Sequence, residues 1–257
     1  DEVALNAAIS TLIVTHNALR MRYYQDEVGT WHQEYTPHSE QLVEHIKWVH
    51  EVGVADIEQY AQQAQQSLDI THGPIMRVVQ MRVTDGTYRV LLVIHHLVVD
   101  GVSWRILLDD LAIAYEQAIE GKALTLALKS HSYQYWAERV REYPNQFAAE
   151  FAYWSEQVTQ PLQLPNLNAQ GSKLALHRAA ISVNLDKVRT ESLLHEAPKV
   201  YRTQINDLLL SALSEALYQW LGQSEVSINL EGHGREPWEQ GVDLSRTVGW
   251  FTRSEER

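Results

Sequence analysis

The chain has 257 residues, of which 45% are hydrophobic, and this is enough for one large or two modest hydrophobic cores. Its net charge of −12 argues against a nucleic acid or an anionic membrane as a partner. The absence of cysteine excludes disulfides, a thiol nucleophile and thiolate metal ligands, and the twelve histidines lack the spacing of a metal site.

The N-terminal part of the chain has alternating helical and strand patterns. Apolar spacing, β-branched runs and turn residues predict helices over 4–17 and 57–68, and strands over 18–24, 31–35, 76–82 and 88–94. Asp85-Gly86 joins the last two strands and is a hairpin signal. This hairpin leads the chain to two adjacent histidines.

His95 and His96 follow an apolar run that is typical of a buried strand. Adjacent strand residues point to opposite faces, so the two imidazoles are expected to differ in role. Asp100 stands just before a predicted helix over 100–120, as its cap or as an ion-pair partner. The alternative is that both histidines are core residues.

The C-terminal part begins with an aromatic-rich helical stretch over 132–157, which is expected to lie in the core. Pro161, Pro165 and the polar run to Ser172 predict a linker, so the domains are placed at 1–165 and 172–257. Beyond it the pattern predicts strands over 176–185 and 224–230, and helices over 187–196 and 201–220, with Thr203 as the cap of the second helix.

A glycine-rich segment, Glu231-Gly232-His233-Gly234-Arg235-Glu236, follows the last of these strands. Glycines on both sides of a histidine permit a tight backbone and close substrate approach. A glutamate at a strand end can be partly desolvated, which raises its pKa toward the range useful for proton transfer. An exposed charged loop is the alternative.

The stretch from His95 to Arg105 resembles the HHxxxDG motif of the chloramphenicol-acetyltransferase-like superfamily, in the version found in epimerization domains of nonribosomal peptide synthetases. Condensation domains of that superfamily typically have a Trp where this chain has Val102. Segments 201–213, 231–236 and 243–252 resemble further epimerization-domain motifs, and segments 16–22 and 67–74 resemble motifs of the family in general.

The resemblance implies an α/β (α+β) fold of two lobes, a V-shaped pseudo-dimer of mixed sheets flanked by helices with a tunnel between them. HHxxxDG would lie in the first lobe and the glutamate motif in a second, incomplete lobe. Because this family's domains are longer than the chain, we expect either a fragment or residues that are not represented.

The resemblance also implies roles for individual residues. His96 and Glu231 would be catalytic, and Asp100 would be structural with Arg20 as its partner. The other supporting residues would be His95, Gly101, Ser103 and Trp104. Contacts to the substrate or to its carrier arm would come from Arg105, His233, Arg235 and Trp250.

The implied reaction inverts the Cα of an aminoacyl or peptidyl thioester on the phosphopantetheine arm of a peptidyl carrier protein. The implied partners are that carrier and neighbouring synthetase modules, with no cofactor of the domain's own. No run is long enough to span a bilayer and no signal peptide opens the chain, so we expect a cytoplasmic location.

Three other functions are compatible with parts of the pattern. A condensation domain would form an amide between two carrier-bound substrates, and a degenerate domain would only dock carrier proteins. An acyltransferase using free coenzyme A is supported by HHxxxDG alone.

Overall fold

The computed structural model describes residues 1–37, 46–128, 130–157, 171, 174, 177, 179–235, 240–251 and 253–256. Contacts divide the chain into two units, residues 1–147 with 231–254, and residues 148–230 with 255–257. This division differs from the predicted lobes 1–165 and 172–257, since the segment that begins at Glu231 groups with the first unit. Apart from Gly171, the predicted linker from Pro161 to Ser172 lies outside the described residues.

The first unit contains most of the regular structure. Its elements in chain order are α1 (Glu2–Thr15), β1 (Met21–Gln25), β2 (Trp31–Tyr35), β3 (Ile46–Val52), α2 (Ile57–Gln66), β4 (Met76–Val83), β5 (Tyr88–Ile94), α3 (Gly101–Ile119) and α4 (Tyr133–Gln146). The prediction of a strand over 18–24 is only partly right, since Asn17–Arg20 form a 3-10 turn and the extended chain starts at Met21.

Two antiparallel pairings and one parallel pairing organise the strands of this unit. β1 and β2 form a hairpin in which Met21 lies opposite Tyr35. β4 pairs antiparallel with β5, with Met76 opposite Ile94, which confirms the predicted hairpin. β3, which the sequence pattern did not predict, pairs parallel to β4.

β4 is buried on both faces. Because β4 pairs with β5, the strand that leads to the histidines, its burial also holds β5 in place. Met76 and Val78 belong to a core with α1 and α3, which includes Leu12 and Leu107. Alternate residues of β4 such as Val79 pack into a second core with α2. Because alternate side chains enter different cores, a register shift would break both.

The aromatic-rich stretch is divided rather than continuous. α4 ends at Gln146 and α5 (Glu150–Gln157) begins after a short break. Trp136 is buried, as predicted for a core residue, whereas Phe151 and Trp154 are 76% and 47% exposed. The predicted core role is therefore confirmed only for Trp136 among these three.

The regular structure of the second unit is mainly helical in the part that is described. After α5 it contains α6 (Lys187–Glu191), a π-helical turn (Ser192–Glu196), α7 (Ala197–Tyr201) and α8 (Ile205–Leu221). α8 begins after Gln204, whose backbone N–H donates to the Asp207 carboxylate at 2.9 Å, so Thr203 is not its cap. No helix in the described part of the chain is both long enough and apolar enough to cross a membrane.

Two predicted strands differ from the structure. Residues 179–185 form no strand, and Ile181 and Val183 are 96% and 88% exposed. A strand needs a hydrogen-bonded neighbour, and no described strand pairs with this segment. The strand predicted over 224–230 is shorter and later, as β6 (Asn229–Gly232), which pairs with β7 (Arg253–Glu256).

Candidate active site

His95 lies just beyond the end of β5 and is a structural residue. Its backbone N–H donates to the Ile75 carbonyl oxygen at 3.0 Å, and its Nδ1 accepts from the Leu97 N–H at 3.2 Å. Burial, and secondarily the charge of His96, lowers the pKa of His95 below its ordinary value. The ring is therefore neutral near pH 7, and its lone pair stabilises the turn that follows.

His96 begins that turn, the 3-10 segment His96–Val98, and its imidazole is exposed. The ring meets the indole of Trp250 in a T-shaped contact, with centroids 5.5 Å apart. Trp250 is 40% exposed, so the two rings form an accessible pair at the end of β5. The structure thus brings together His96 and Trp250, two residues singled out from the sequence.

Asp100 is buried, with only 4% of its surface exposed, and it has the predicted structural role. Its Oδ1 accepts from the Ser103 N–H at 2.8 Å and so caps α3, while its Oδ2 accepts from the Phe251 N–H at 3.2 Å. Arg235 donates to both carboxylate oxygens, at 2.5 and 3.1 Å. Burial raises the pKa of Asp100, but the hydrogen bonds from Arg235 and Ser103 outweigh it and leave the pKa below its ordinary value.

The prediction that Arg20 pairs with Asp100 is wrong. The Arg20 guanidinium instead donates to the carbonyl oxygens of Ile13 and Thr36, at 3.1 and 2.9 Å, and to Asn17 Oδ1 at 2.7 Å. These contacts tie the end of α1 to the end of β2. The turn at Asn17–Arg20 keeps the side chain in this local network, so the pairing with Asp100 falls to an arginine distant in sequence.

Arg235 is that partner, and its predicted contact with a carrier arm needs correction. The side chain is buried, and beyond Asp100 its Nη2 donates to Ser103 Oγ and to the Thr247 carbonyl oxygen, both at 3.1 Å. The guanidinium also lies 4.0 Å from the centre of the Phe251 ring. A group enclosed in this way holds protein segments together and is not accessible to a substrate arm.

Two of the predicted supporting residues of α3 are packed as expected. Ser103 is fully buried, and its Oγ donates to the Gly249 carbonyl oxygen at 2.9 Å and accepts from the Gly249 N–H at 3.1 Å. Trp104 packs against the main core. Gly101 and Arg105 are exposed, and a Cβ on Gly101 would meet no atom within 4 Å.

The glutamate motif is only partly as predicted. Glu231 lies in β6 and is exposed, so the described residues do not provide the expected desolvation. His233 is also exposed, and its Nδ1 accepts from the Arg235 N–H at 3.1 Å. Glu236 lies outside the described residues.

The Asp100–Arg235 ion pair brings the histidine segment and the glutamate segment together. His96 and Glu231 each precede their member of the pair by four residues, a length of extended chain that spans at most about 14 Å. Between these two described side chains no direct hydrogen bond or ion pair is formed. The pair therefore relates the segments, while their catalytic roles stay predictions.

A second buried carboxylate, Asp110, was not singled out from the sequence. It receives a hydrogen bond from His16 Nε2 at 2.8 Å and a second from Arg246. The helical pattern could have indicated this residue, since Asp110 falls on the same helical face as Leu107 and Ala114, where an apolar residue is expected. Within the described part of the chain, no three His, Asp or Glu side chains come close enough to hold a metal ion.

Comparison with known proteins places this geometry in a family. The family described as "Condensation domain" matches residues 1–254. One subunit of linear gramicidin synthase from Brevibacillus parabrevis is 41% identical to this protein over 98% of the present chain. Tyrocidine synthase 2 from the same organism is 36% identical over 98% of the present chain. The chain spans only 3% and 7% of these two relatives.

Solved structures give the same placement. The epimerization domain from the third module of tyrocidine synthetase B is similar with a TM-score of 0.85 and 34% identity, over all of this chain and 58% of that one. The first condensation domain of the calcium-dependent antibiotic synthetase, at 18% identity and a TM-score of 0.72 over 60% of its length, shares the fold. The predicted chloramphenicol-acetyltransferase-like fold is confirmed, and the chain belongs to the condensation-domain family of nonribosomal peptide synthetases.

Proposed function

We propose that the chain is part of an epimerization domain, which inverts the Cα of an aminoacyl or peptidyl thioester carried on the phosphopantetheine arm of a peptidyl carrier protein. His96 and Glu231 are the two proton-transfer groups in this proposal. The observation that carries it is the buried Asp100–Arg235 pair, which holds the glutamate segment against the histidine segment. The likeness to a solved epimerization domain at 34% identity supports it.

The chemistry requires proton removal on one face of Cα and proton return on the other. A thioester makes the α-proton acidic, because sulfur is a poor π-donor to the carbonyl. One group takes the proton and the C–H electron pair moves into the carbonyl, which leaves an enolate. The second group then protonates Cα from the opposite face, and the C–S bond remains intact throughout. Each such group contributes about 10²–10⁴-fold to the rate.

The exposure of His96 and Glu231 supports this assignment, because both must reach a substrate delivered from outside. His95, which is half-buried and engaged with Leu97, does not compete for the role. The partners in this proposal are the carrier protein and the neighbouring synthetase modules. No cofactor is invoked beyond the arm of the carrier.

The test is solvent deuterium incorporation at Cα, measured by mass spectrometry with a panel of carrier proteins loaded with different L-aminoacyl groups. The proposal predicts incorporation of one deuterium without a second acyl partner, and release of D-amino acid after thioester hydrolysis. His96→Ala and Glu231→Gln should each lower this rate about 10²–10⁴-fold. The matched controls His72→Ala and Glu225→Gln change exposed residues and should leave the rate unchanged.

Amide formation is the alternative that the family match favours. Supplying a second aminoacyl carrier protein tests it in the same assay. A dipeptidyl thioester without deuterium at Cα would establish condensation and overturn the epimerase proposal. Normal carrier binding with neither product, for every loaded carrier in the panel, would leave docking as the function.

A further inference from the structure

Three buried polar residues, the cap of α3 and two residues on its buried face, each bond to one short segment. Asp100, Ser103 and Asp110 lie on the same helical face at spacings of three and seven residues. Their partners are, respectively, the Phe251 N–H, the backbone of Gly249, and the Arg246 guanidinium. We call residues 246–251 the strap. The contacts run in opposite directions along the two segments, so the strap lies antiparallel to α3 over about 15 Å of helix.

Asp110 holds the far end of the strap. Its side chain is 1% exposed, and its two partners come from different segments, His16 just after α1 and Arg246 in the strap. A buried carboxylate is tolerated only when it is paired, so Asp110 requires these partners in place. The Arg246 N–H also donates to Ser130 Oγ at 3.2 Å, which adds a backbone contact at the same point.

The strap is tightly packed between this anchor and His96. A Cβ on Gly249 would lie 2.4 Å from the Tyr133 ring, and the Tyr133 hydroxyl donates to the Trp250 carbonyl oxygen at 3.0 Å. Trp250 is the strap residue whose side chain contacts the His96 ring. A change in the path of the strap therefore moves the indole relative to the imidazole.

We propose that Asp110 is a positioning residue, which together with His16 and Arg246 fixes the strap and thereby sets the Trp250 indole against His96. Asp110 touches neither ring and acts through Arg246. The catalytic consequence rests on the proposed function of His96, whereas the packing consequence does not. Because Ser103 and Asp100 still hold the other end of the strap, loss of Asp110 should loosen the ring contact without releasing the segment.

The test follows the His96 ring protons by NMR in the full chain with labelled histidine, the signal being assigned with His96→Gln. The indole ring current displaces these resonances, and Trp250→Leu gives their position without it. Asp110→Asn should move them at least halfway toward that position. Asp109→Asn is the matched control, since it removes an exposed carboxylate from the neighbouring position of the same helix and should leave the resonances in place.

Arg246→Gln gives an independent variant, because the Arg246 side chain is 29% exposed and tolerates replacement better than Asp110 does. It should reproduce the shift, and Arg246→Lys should restore most of the native position. The double variant should give the same His96 shift as either single variant, because both substitutions remove the same contact between Asp110 and Arg246. Unchanged His96 resonances in folded Asp110→Asn or Arg246→Gln protein would overturn the proposal.

The activity assay separates this inference from the proposed function. If the wild-type chain exchanges deuterium, Asp110→Asn should lower kcat about tenfold with little change in KM, because misplacement of a catalytic group affects the chemical step. A resonance shift in a chain without exchange activity would refute the epimerase and leave the positioning role of Asp110 intact. Exchange activity in the wild type, together with unchanged His96 resonances in Asp110→Asn, would support the epimerase proposal and overturn the positioning role of Asp110.

Discussion

At the scale of single residues, the glycines of the histidine motif and of the glutamate motif face opposite constraints. Gly234 has φ +67°, and a Cβ there would lie 1.8 Å from the carbonyl oxygen of Phe251. Gly101 has open space around it and begins α3. The glycine-rich motif is therefore needed for close backbone approach at Gly234, whereas at Gly101 the described residues impose no such need.

The expected outcome is that Gly234→Ala destabilises the chain and Gly101→Ala does not. The first substitution forces a left-handed residue against a rigid backbone atom and should lower the free energy of unfolding by about 1–3 kcal/mol. The second places alanine at an unobstructed helix start and should raise it by up to about 1 kcal/mol. Denaturant unfolding of both variants checks this, and equal effects would contradict the steric argument.

At the scale of elements, the start of α3 depends on one carboxylate. Asp100 caps the helix and binds Arg235 and the Phe251 N–H, so three segments share a single buried charge. The hydrogen bonds hold its pKa in the folded chain below the ordinary value of 3.8. The unfolded chain therefore binds the proton more readily than the folded chain as the pH falls toward that range.

Asp100→Asn should lower the free energy of unfolding at pH 7 by about 3–5 kcal/mol, because it leaves Arg235 buried without its counter-charge. The stabilisation from Asp100 is complete above pH 3.8 and is lost as the pH falls through its lower folded value. The difference between the wild type and the variant should accordingly shrink below pH 3.8. Unfolding curves from neutral pH into this acid range measure it, and a gap that stays constant there would argue against the ionised pair.

At the scale of the whole molecule, the two units differ in burial. The first unit contains the cores around Ile9, Leu107 and Val79, each nearly inaccessible to solvent. In the second unit no residue of α8 is buried, and Leu209, Tyr218 and Trp220 are at least half exposed. Stability is thus concentrated in the first unit.

Amide hydrogen exchange of the 257-residue chain should show this difference. α3 and β4 should exchange slowly, since opening them exposes the main core, whereas α8 should exchange much faster. Mass spectrometry of peptides after timed labelling resolves the two helices. Equal protection of α3 and α8 would mean that α8 has a stabilising contact absent from the described structure.

Local pattern was a sufficient guide wherever the interactions are local. The hairpin of β4 and β5, the helix after Asp100 and the cap at its start follow from alternation, helical spacing and turn chemistry over a few residues. The same reasoning failed for residues 179–185, whose strand-like composition has no hydrogen-bonded neighbour among the described strands, and for β3, whose pairing with β4 spans a helix.

Sequence alone determined the family motifs, the two candidate proton-transfer residues and the structural role of Asp100. Only the tertiary structure decided which arginine neutralises that carboxylate. Arg20 and Arg235 are both arginines within a motif, but the partner lies 135 residues from Asp100. The partner of a buried charge is decided by which distant segment the fold brings next to it. Arg20 is already held by Ile13, Asn17 and Thr36. The same long-range return created the strap and the contact between Trp250 and His96.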